Sequence, residues 1–112
     1  MLIALPVDNG KLCMHFGHCG YFAMIDVDEK TKEIVSTKTM TPPPHEPGVL
    51  PKWLASLGVK TIIAGGMGRR ALDLFVMNEI NVVVGAPSEP PEELVRKYLD
   101  GKLETGGNVC DH

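Results

Sequence analysis

The sequence predicts an α/β fold, with a mixed sheet of about five strands between helices in a three-layer α/β/α sandwich. Two observations predict it. In the second half of the chain, short apolar runs alternate with segments of helical periodicity, an order typical of parallel strands joined by helical crossovers. In the first half, two extended runs flank a short polar segment, which predicts an antiparallel hairpin. Ligands of such sheets gather at loops beyond the carboxyl ends of the strands.

The first half of the chain supplies three of the expected strands. Residues 2–7 are a continuous apolar run closed by the turn signal of residues 8–10, which predicts a buried strand. Residues 21–27 and 33–39 are the two arms of the hairpin. Prolines make residues 41–48 unable to continue a strand or to lie inside a helix, so we expect a stiff crossover loop there.

The second half alternates helices and strands. The expected elements are a helix over residues 49–57, a strand over 59–64, a helix over 69–78, a strand over 81–85 and a helix over 88–99. Gly58 and Gly101 follow the first and last helices, where a residue in the left-handed conformation commonly ends a helix.

Composition excludes several classes of function. The 112 residues fit one core, so we expect a single cofactor-binding domain over residues 1–107 and a flexible tail over residues 108–112. With 11 basic and 14 acidic residues, a net charge of -3 and no basic stripe, nucleic acid is not expected as a partner. We expect no membrane partner, since no apolar run is long enough to span a bilayer. Three cysteines without an export signal predict reduced thiols and a cytoplasmic protein.

A loop rich in thiols and imidazoles is the first candidate site. Cys13, His15, His18 and Cys19 lie within seven positions of one another, and such donors favour zinc, copper, iron or a metal-sulfide cluster over calcium or magnesium. His45, in the proline-rich loop, is a further candidate ligand if that loop folds over the same end of the sheet. The alternative is structural: buried thiols, and histidines that hydrogen-bond to turn groups.

A glycine-rich turn is the second candidate site. Residues 65–68 (Gly-Gly-Met-Gly) follow a predicted strand and open a helix at Arg69, so free backbone donors and the positive helix end converge where an anion could bind. The turn matches neither a Walker sequence nor Gly-x-Gly-x-x-Gly. The alternative is a tight turn that needs glycine for positive φ or for close packing.

The chain shows no pattern typical of an enzyme. There is no Ser-His-Asp order, no paired catalytic carboxylates and no phosphate-transfer signature. A cysteine beside a histidine in the first loop could form a nucleophilic pair, which leaves a thiol enzyme as a minor alternative. The tail offers Cys110 and His112, but terminal residues are usually mobile.

Three segments form one larger pattern. They are His15-Phe16-Gly17-His18-Cys19 with Tyr21-Phe22, then Ala64-Gly65-Gly66-Met67-Gly68, then the strand at residues 82–85. Together they resemble the dinitrogenase iron-molybdenum cofactor biosynthesis family, and most closely its stand-alone, orange-protein-like branch. The resemblance implies a ribonuclease H-like fold without nuclease chemistry. It also implies a non-catalytic carrier or assembly role for a molybdenum-containing sulfide cluster, with iron or copper as the second metal.

The resemblance also implies the site residues and partners. It places His15, Phe16, Gly17, His18 and Cys19 on one wall of a pocket and Gly66, Met67, Gly68 and Arg69 on the other. The metal-ligating set expected from the donor chemistry is Cys13, His15, His18, Cys19 and His45. The implied partners are the cluster itself and cluster-assembly or recipient proteins. A second hypothesis keeps the fold but makes the chain a regulatory protein-protein interaction domain without a cluster.

Overall fold

The computed structural model describes residues 1–13, 20–43, 48–103 and 105. Within these ranges the chain forms six strands and three helices. In chain order they are β1 (Leu2–Asp8), β2 (Lys11–Leu12), β3 (Tyr21–Asp28), β4 (Glu33–Met40), α1 (Val49–Ser56), β5 (Val59–Ile63), α2 (Arg69–Met77), β6 (Asn81–Val83) and α3 (Pro91–Leu99). The expected strands and helices are confirmed in type and order, and β2 is an addition.

The strands form one mixed sheet in the order β4-β3-β1-β5-β6. β3 is antiparallel to both β1 and β4, whereas β5 is parallel to β1 and to β6. The antiparallel hairpin and the parallel second half are therefore both confirmed. The ribonuclease H-like grouping stays a prediction.

The unexpected strand, β2, arises from a two-residue hairpin turn. Asn9 has φ 53 and Gly10 has φ 79, and the flanking residues Asp8 and Lys11 face each other across the ladder. Two consecutive residues with positive φ define a tight turn that Asn-Gly favours because its twist matches that of the strands. The chain therefore folds straight back on β1 instead of leaving the sheet.

β2 continues the sheet where β5 stops. Val7 of β1 pairs with Tyr21 of β3 and also with Leu12 of β2, so β2 lies on the opposite side of β1 from β3. β5 occupies that same side lower down, where it pairs with residues 2–4 of β1. Leu12 is 2% exposed and anchors the short strand in the core.

Apolar cores cover both faces of the sheet, which confirms the three layers. On one face, Ile3, Leu5 and Ile25 pack with Leu94 and Val95 of α3. The other face carries the second core, with α1 and α2: Ala4, Phe22, Met24, Leu50, Leu54, Ile62, Met67 and Phe75. Alternate residues of β1 and β5 thus enter opposite cores, as expected for strands buried on both sides.

All three helices end in the same backbone motif. Gly58 and Gly101 follow α1 and α3 with φ 90 and φ 71, which confirms the predicted ends. In α2 the equivalent position is held by Glu79, with φ 61. The amide of Ile80 then donates to the carbonyl of Phe75, with 3.0 Å between N and O, as in a Schellman motif.

The sequence placed the start of the last helix too early. It was expected at residue 88, but α3 begins at Pro91. The reason is tertiary: the backbone carbonyl of Glu89 accepts a hydrogen bond from the amide of Leu12, at 3.0 Å, so the preceding segment remains extended. In the described part of the chain, none of the helices has the length and apolar character that crossing a bilayer requires.

Candidate anion-binding site

Two segments that the sequence analysis identified as candidate sites lie at one edge of the sheet. β1, β5 and β6 run parallel, so the segments that follow them leave the sheet at the same edge, here called the loop edge. Cys13 follows β2 at this edge, and residues 65–68 follow β5 there. The structure therefore places Cys13, Gly66, Met67, Gly68 and Arg69, the described members of the predicted site, towards one end of the molecule.

Cys13 is held by the main chain of β1. Its amide donates a hydrogen bond to the carbonyl oxygen of Pro6, with 2.8 Å between N and O, and its side chain is half-buried. Pro6 pairs with Phe22 on its other side, so the proline lies in a central strand at the level where β5 has ended. Proline provides no amide donor. It is therefore tolerated inside a strand only at a position such as this one, where no neighbouring strand needs that donor.

The glycine turn after β5 is locked to the segment after β6. The amide of Gly85 donates to the carbonyl of Gly65 at 2.9 Å, and the amide of Ala86 donates to the carbonyl of Ala64 at 3.2 Å. Gly65 and Gly66 are buried, while the positive φ in this pair of loops is found at Gly85, with φ 82. Gly65 and Gly66 are therefore buried without a positive φ, whereas Gly68 is exposed.

Met67 anchors the same turn to the hydrophobic core. Its side chain is 0% exposed and belongs to the core on the α1 and α2 face. A buried side chain fixes the position of the turn but does not point to solvent. The exposure of Met67 as a whole residue is 0%, so its backbone is not open to solvent at the loop edge either.

The start of α2 has an unusual charge pattern. Gly68 precedes the helix with φ -64 and ψ 154, and no side chain caps the free amides. The first turn has no acidic residue and instead carries Arg69 and Arg70, both exposed. In the described part of the chain neither arginine has an ion-pair partner. Each cation placed at the positive end of a helix costs roughly 0.3–1 kcal/mol, so a bound anion would stabilise this end.

The other two helix starts differ in their acidic residues. α1 also has no acidic residue in its first turn and no side-chain cap, although Pro51 removes one donor. α3 has Glu92 and Glu93 in its first turn, so its helix dipole is already offset. Among the residues that the structure describes, the helix starts without acidic residues in their first turns are therefore those of α1 and α2, on one face of the sheet.

Several predicted site residues lie outside the described ranges. They are His15, Phe16, Gly17, His18 and Cys19 of the first loop, His45 of the proline-rich loop, and Cys110 and His112 of the tail. Among the residues that are described, there is no group of three or more His, Cys, Asp or Glu side chains able to hold a metal. The metal-ligating set thus stays a prediction.

The sequence did not point to a cleft at the loop edge. A space of about 350 Å³ is lined by Gly20 and Tyr21 at the start of β3 and by Thr39, Met40 and Thr41 at the end of β4. The predicted hairpin was the available signal in the sequence, because pairing of its two strands brings the start of the first strand next to the end of the second. Its lining provides hydroxyl groups and a thioether, without a charged side chain.

Fold and site together define a small α/β protein with an uncapped basic helix start at the loop edge. A family model described as "Dinitrogenase iron-molybdenum cofactor" matches residues 1–101. The chain therefore belongs to this family, which confirms the resemblance found in the sequence.

Similar proteins match this chain over nearly its full length. The uncharacterized protein MJ0580 of Methanocaldococcus jannaschii is 35% identical over 108 residues, which cover 93% of this chain and 90% of that one. The crystal structure of PH0822 has a TM-score of 0.85 at 27% identity, covering 94% of each chain. The apo form of the orange protein from Desulfovibrio gigas has a TM-score of 0.75 at 20% identity, covering 96% of this chain and 93% of its own, and shows a shared fold.

Proposed function

We propose that this protein is a non-catalytic, cytoplasmic binding or carrier protein for a molybdenum-containing sulfide cluster, with iron or copper as the second metal. The observation that carries the proposal is the start of α2, where free amides and two exposed arginines face the loop edge without an acidic partner in the described chain. Membership of the family supports a cofactor-binding or carrier role.

The described residues fit such a cargo. A thiometallate cluster is a polyanion with soft sulfide acceptors, so backbone amides of the first turn and the guanidinium groups of Arg69 and Arg70 would offset its charge. Gly68 leaves open space beside these donors, because a Cβ atom built there meets no atom within 4 Å. Large anions can therefore approach the backbone closely.

The soft donors would supply coordination. Cys13 is at the loop edge. We propose that His15, His18, Cys19 and His45 act together with it, as ligands of the cargo or as hydrogen-bond donors to it. We further propose that residues 1–107 act as one binding domain with 108–112 as a tail, and that assembly or recipient proteins are the partners.

The test is anaerobic loading with tetrathiomolybdate, alone and with copper or iron, followed by elemental analysis and visible absorption. The wild-type protein should take up stoichiometric molybdenum and gain charge-transfer bands. A double variant with Arg69→Gln and Arg70→Gln should lose at least about tenfold in affinity, equivalent to about 1.4 kcal/mol. The matched control is Lys30→Gln with Lys60→Gln, which removes the same charge away from the loop edge and should change affinity less than about twofold.

Two results would count against the proposal. If the protein stayed colourless and metal-free under every condition, the second candidate function, a regulatory interaction domain, would be favoured instead. Equal losses in the arginine and lysine double variants would show that net charge, and not the start of α2, governs binding. Separately, unchanged affinity after His15→Ala and Cys19→Ala would remove these two residues from the ligand set.

A further inference from the structure

The outward face of α2 is a continuous strip of exposed residues. Arg69, Arg70, Asp73, Val76 and Met77 are all exposed and fall within about 120° around the helix axis, given 100° per residue. We call these five residues the α2 strip. Its two apolar members, Val76 and Met77, are adjacent in the chain and are 65% and 77% exposed.

A further exposed apolar side chain, Leu57, lies at the end of the neighbouring helix α1. α1 packs against α2, and both helices run from the loop edge towards the opposite edge. Leu57, which caps the end of α1 and is 37% exposed, therefore lies at the same end of this helical layer as Val76 and Met77. The far end of the layer thus carries exposed apolar side chains on both helices, while the near end of α2 is basic.

The sequence of α2 works against the stability of the helix at both ends. Arginines occupy the positive end, and Glu79 adopts φ 61 where the other two helices have glycine. Residues that break local rules in an otherwise consistent fold mark surfaces used for something other than folding. This strain, together with the exposed apolar pair, singles out α2 among the described helices.

We propose that the α2 strip is a docking surface for a protein segment that presents an apolar anchor and carboxylates. Charge complementarity decides the chemistry: the anchor would cover Val76 and Met77, and the carboxylates would face Arg69 and Arg70. The two ends of the strip, Arg69 and Met77, are eight positions apart, which at 1.5 Å per residue is about 12 Å, so an amphipathic helix of three turns spans it.

Docking and cargo binding share the two arginines. Carboxylates of the partner and a thiometallate would therefore compete for the start of α2, and each would weaken the other by the same factor. This competition rests on the proposed function, whereas docking itself does not. The test below is made without metal, so that failure of one proposal is distinguishable from failure of the other.

The experiment uses the full chain labelled with ¹⁵N and a designed helical peptide with two leucines at one end and two glutamates two turns away. Backbone amide shifts should change along α2, with a dissociation constant in the micromolar to millimolar range. A peptide with lysines in place of the glutamates should bind at least about fivefold more weakly, with the difference reduced by salt.

Matched variants separate the strip from general stickiness. Val76→Gln with Met77→Gln should abolish binding of the acidic peptide, and the fold should be kept because both side chains are exposed. Val35→Gln is the control, since Val35 on the edge strand β4 is also 65% exposed. No binding by the wild-type chain, equal binding of both peptides, or shifts centred on β4 would each overturn the proposal.

Discussion

The hydroxyl of Ser88 donates a hydrogen bond to the carbonyl oxygen of Leu12, with 3.0 Å between Oγ and O, across 76 residues of sequence. The amide of Leu12 donates in turn to the carbonyl of Glu89 at 3.0 Å. These two bonds attach β2 to the segment between β6 and α3. The chain that leads into Cys13 is therefore fixed on one side by β1 and on the other by the end of the parallel sheet.

Replacing Ser88 with alanine should weaken this attachment. We expect the free energy of unfolding to fall by about 1 kcal/mol, because the carbonyl of the buried Leu12 loses its donor. Chemical denaturation gives the value. Ser56→Ala is the control: the Ser56 hydroxyl bonds to the carbonyl of Trp53 three residues earlier, and its exposed, local bond should contribute less. An equal loss in both variants would contradict the tethering role of Ser88.

Changing Gly68 to serine or aspartate should have opposite effects on stability and on cargo affinity. The backbone of Gly68, with φ -64 and ψ 154, is that of a normal N-cap, and its surroundings have room for a side chain. Compared with glycine, a capping serine oxygen should stabilise α2 by only a few tenths of a kcal/mol, and the charge of aspartate should add about 0.3–1 kcal/mol. The same oxygen would accept hydrogen bonds from the first-turn amides of α2, which would then no longer be available to a bound anion.

Thermal unfolding and thiometallate titration measure the two effects on Gly68. Serine caps without adding charge, so the aspartate variant should lose more affinity than the serine variant while being at least as stable. If both variants bound the cargo as well as wild type, the amides at the start of α2 would not be its binding donors.

Thr61→Val should stabilise the protein. Thr61 is 1% exposed in the central strand β5, and its hydroxyl has no hydrogen-bond partner among the described residues. Replacing a buried, unsatisfied hydroxyl with a methyl group of similar shape should add about 1 kcal/mol to the free energy of unfolding. The melting temperature should rise by about 4 °C. Thr37→Val, on the exposed edge strand, should change little, and a lower melting temperature for Thr61→Val would show that its hydroxyl is satisfied.

Glu79→Gly should also raise stability. A left-handed conformation strains a residue with a side chain, so glycine at this helix end should add about 0.5–1 kcal/mol. The reverse change, Gly58→Ala, should cost about 1 kcal/mol through the backbone alone, because a Cβ atom there meets no atom within 4 Å. A Glu79→Gly variant less stable than wild type would mean that the Glu79 side chain makes a stabilising contact.

Periodicity and turn residues predicted most of this fold. The apolar runs gave five of the six strands, and Gly58 and Gly101 gave the ends of two helices correctly. β2 was missed because two residues carry no periodicity, although the Asn9-Gly10 pair is a strong hairpin signal. The start of α3 was misplaced because hydrogen bonds to Leu12, distant in sequence, keep Glu89 out of the helix.

The candidate site was predictable in its parts and not in its arrangement. Glycines before Arg69 indicated an anion site, and the His and Cys loop indicated soft ligands. The sequence could not show that the dipole of α3 is offset by its own acids while those of α1 and α2 are not. The cleft between Tyr21 and Thr41 was missed, although the predicted hairpin implied that these two strand ends lie side by side.

The sequence by itself determined the family, the α/β class and the types of residue available for binding, because these depend on local patterns and motifs. The tertiary structure decided which of those residues share the loop edge, which face of that edge carries the start of α2, and which side of α2 remains uncovered. These depend on strand order and helix packing. Both are set by contacts between residues far apart in the chain, which no local pattern contains.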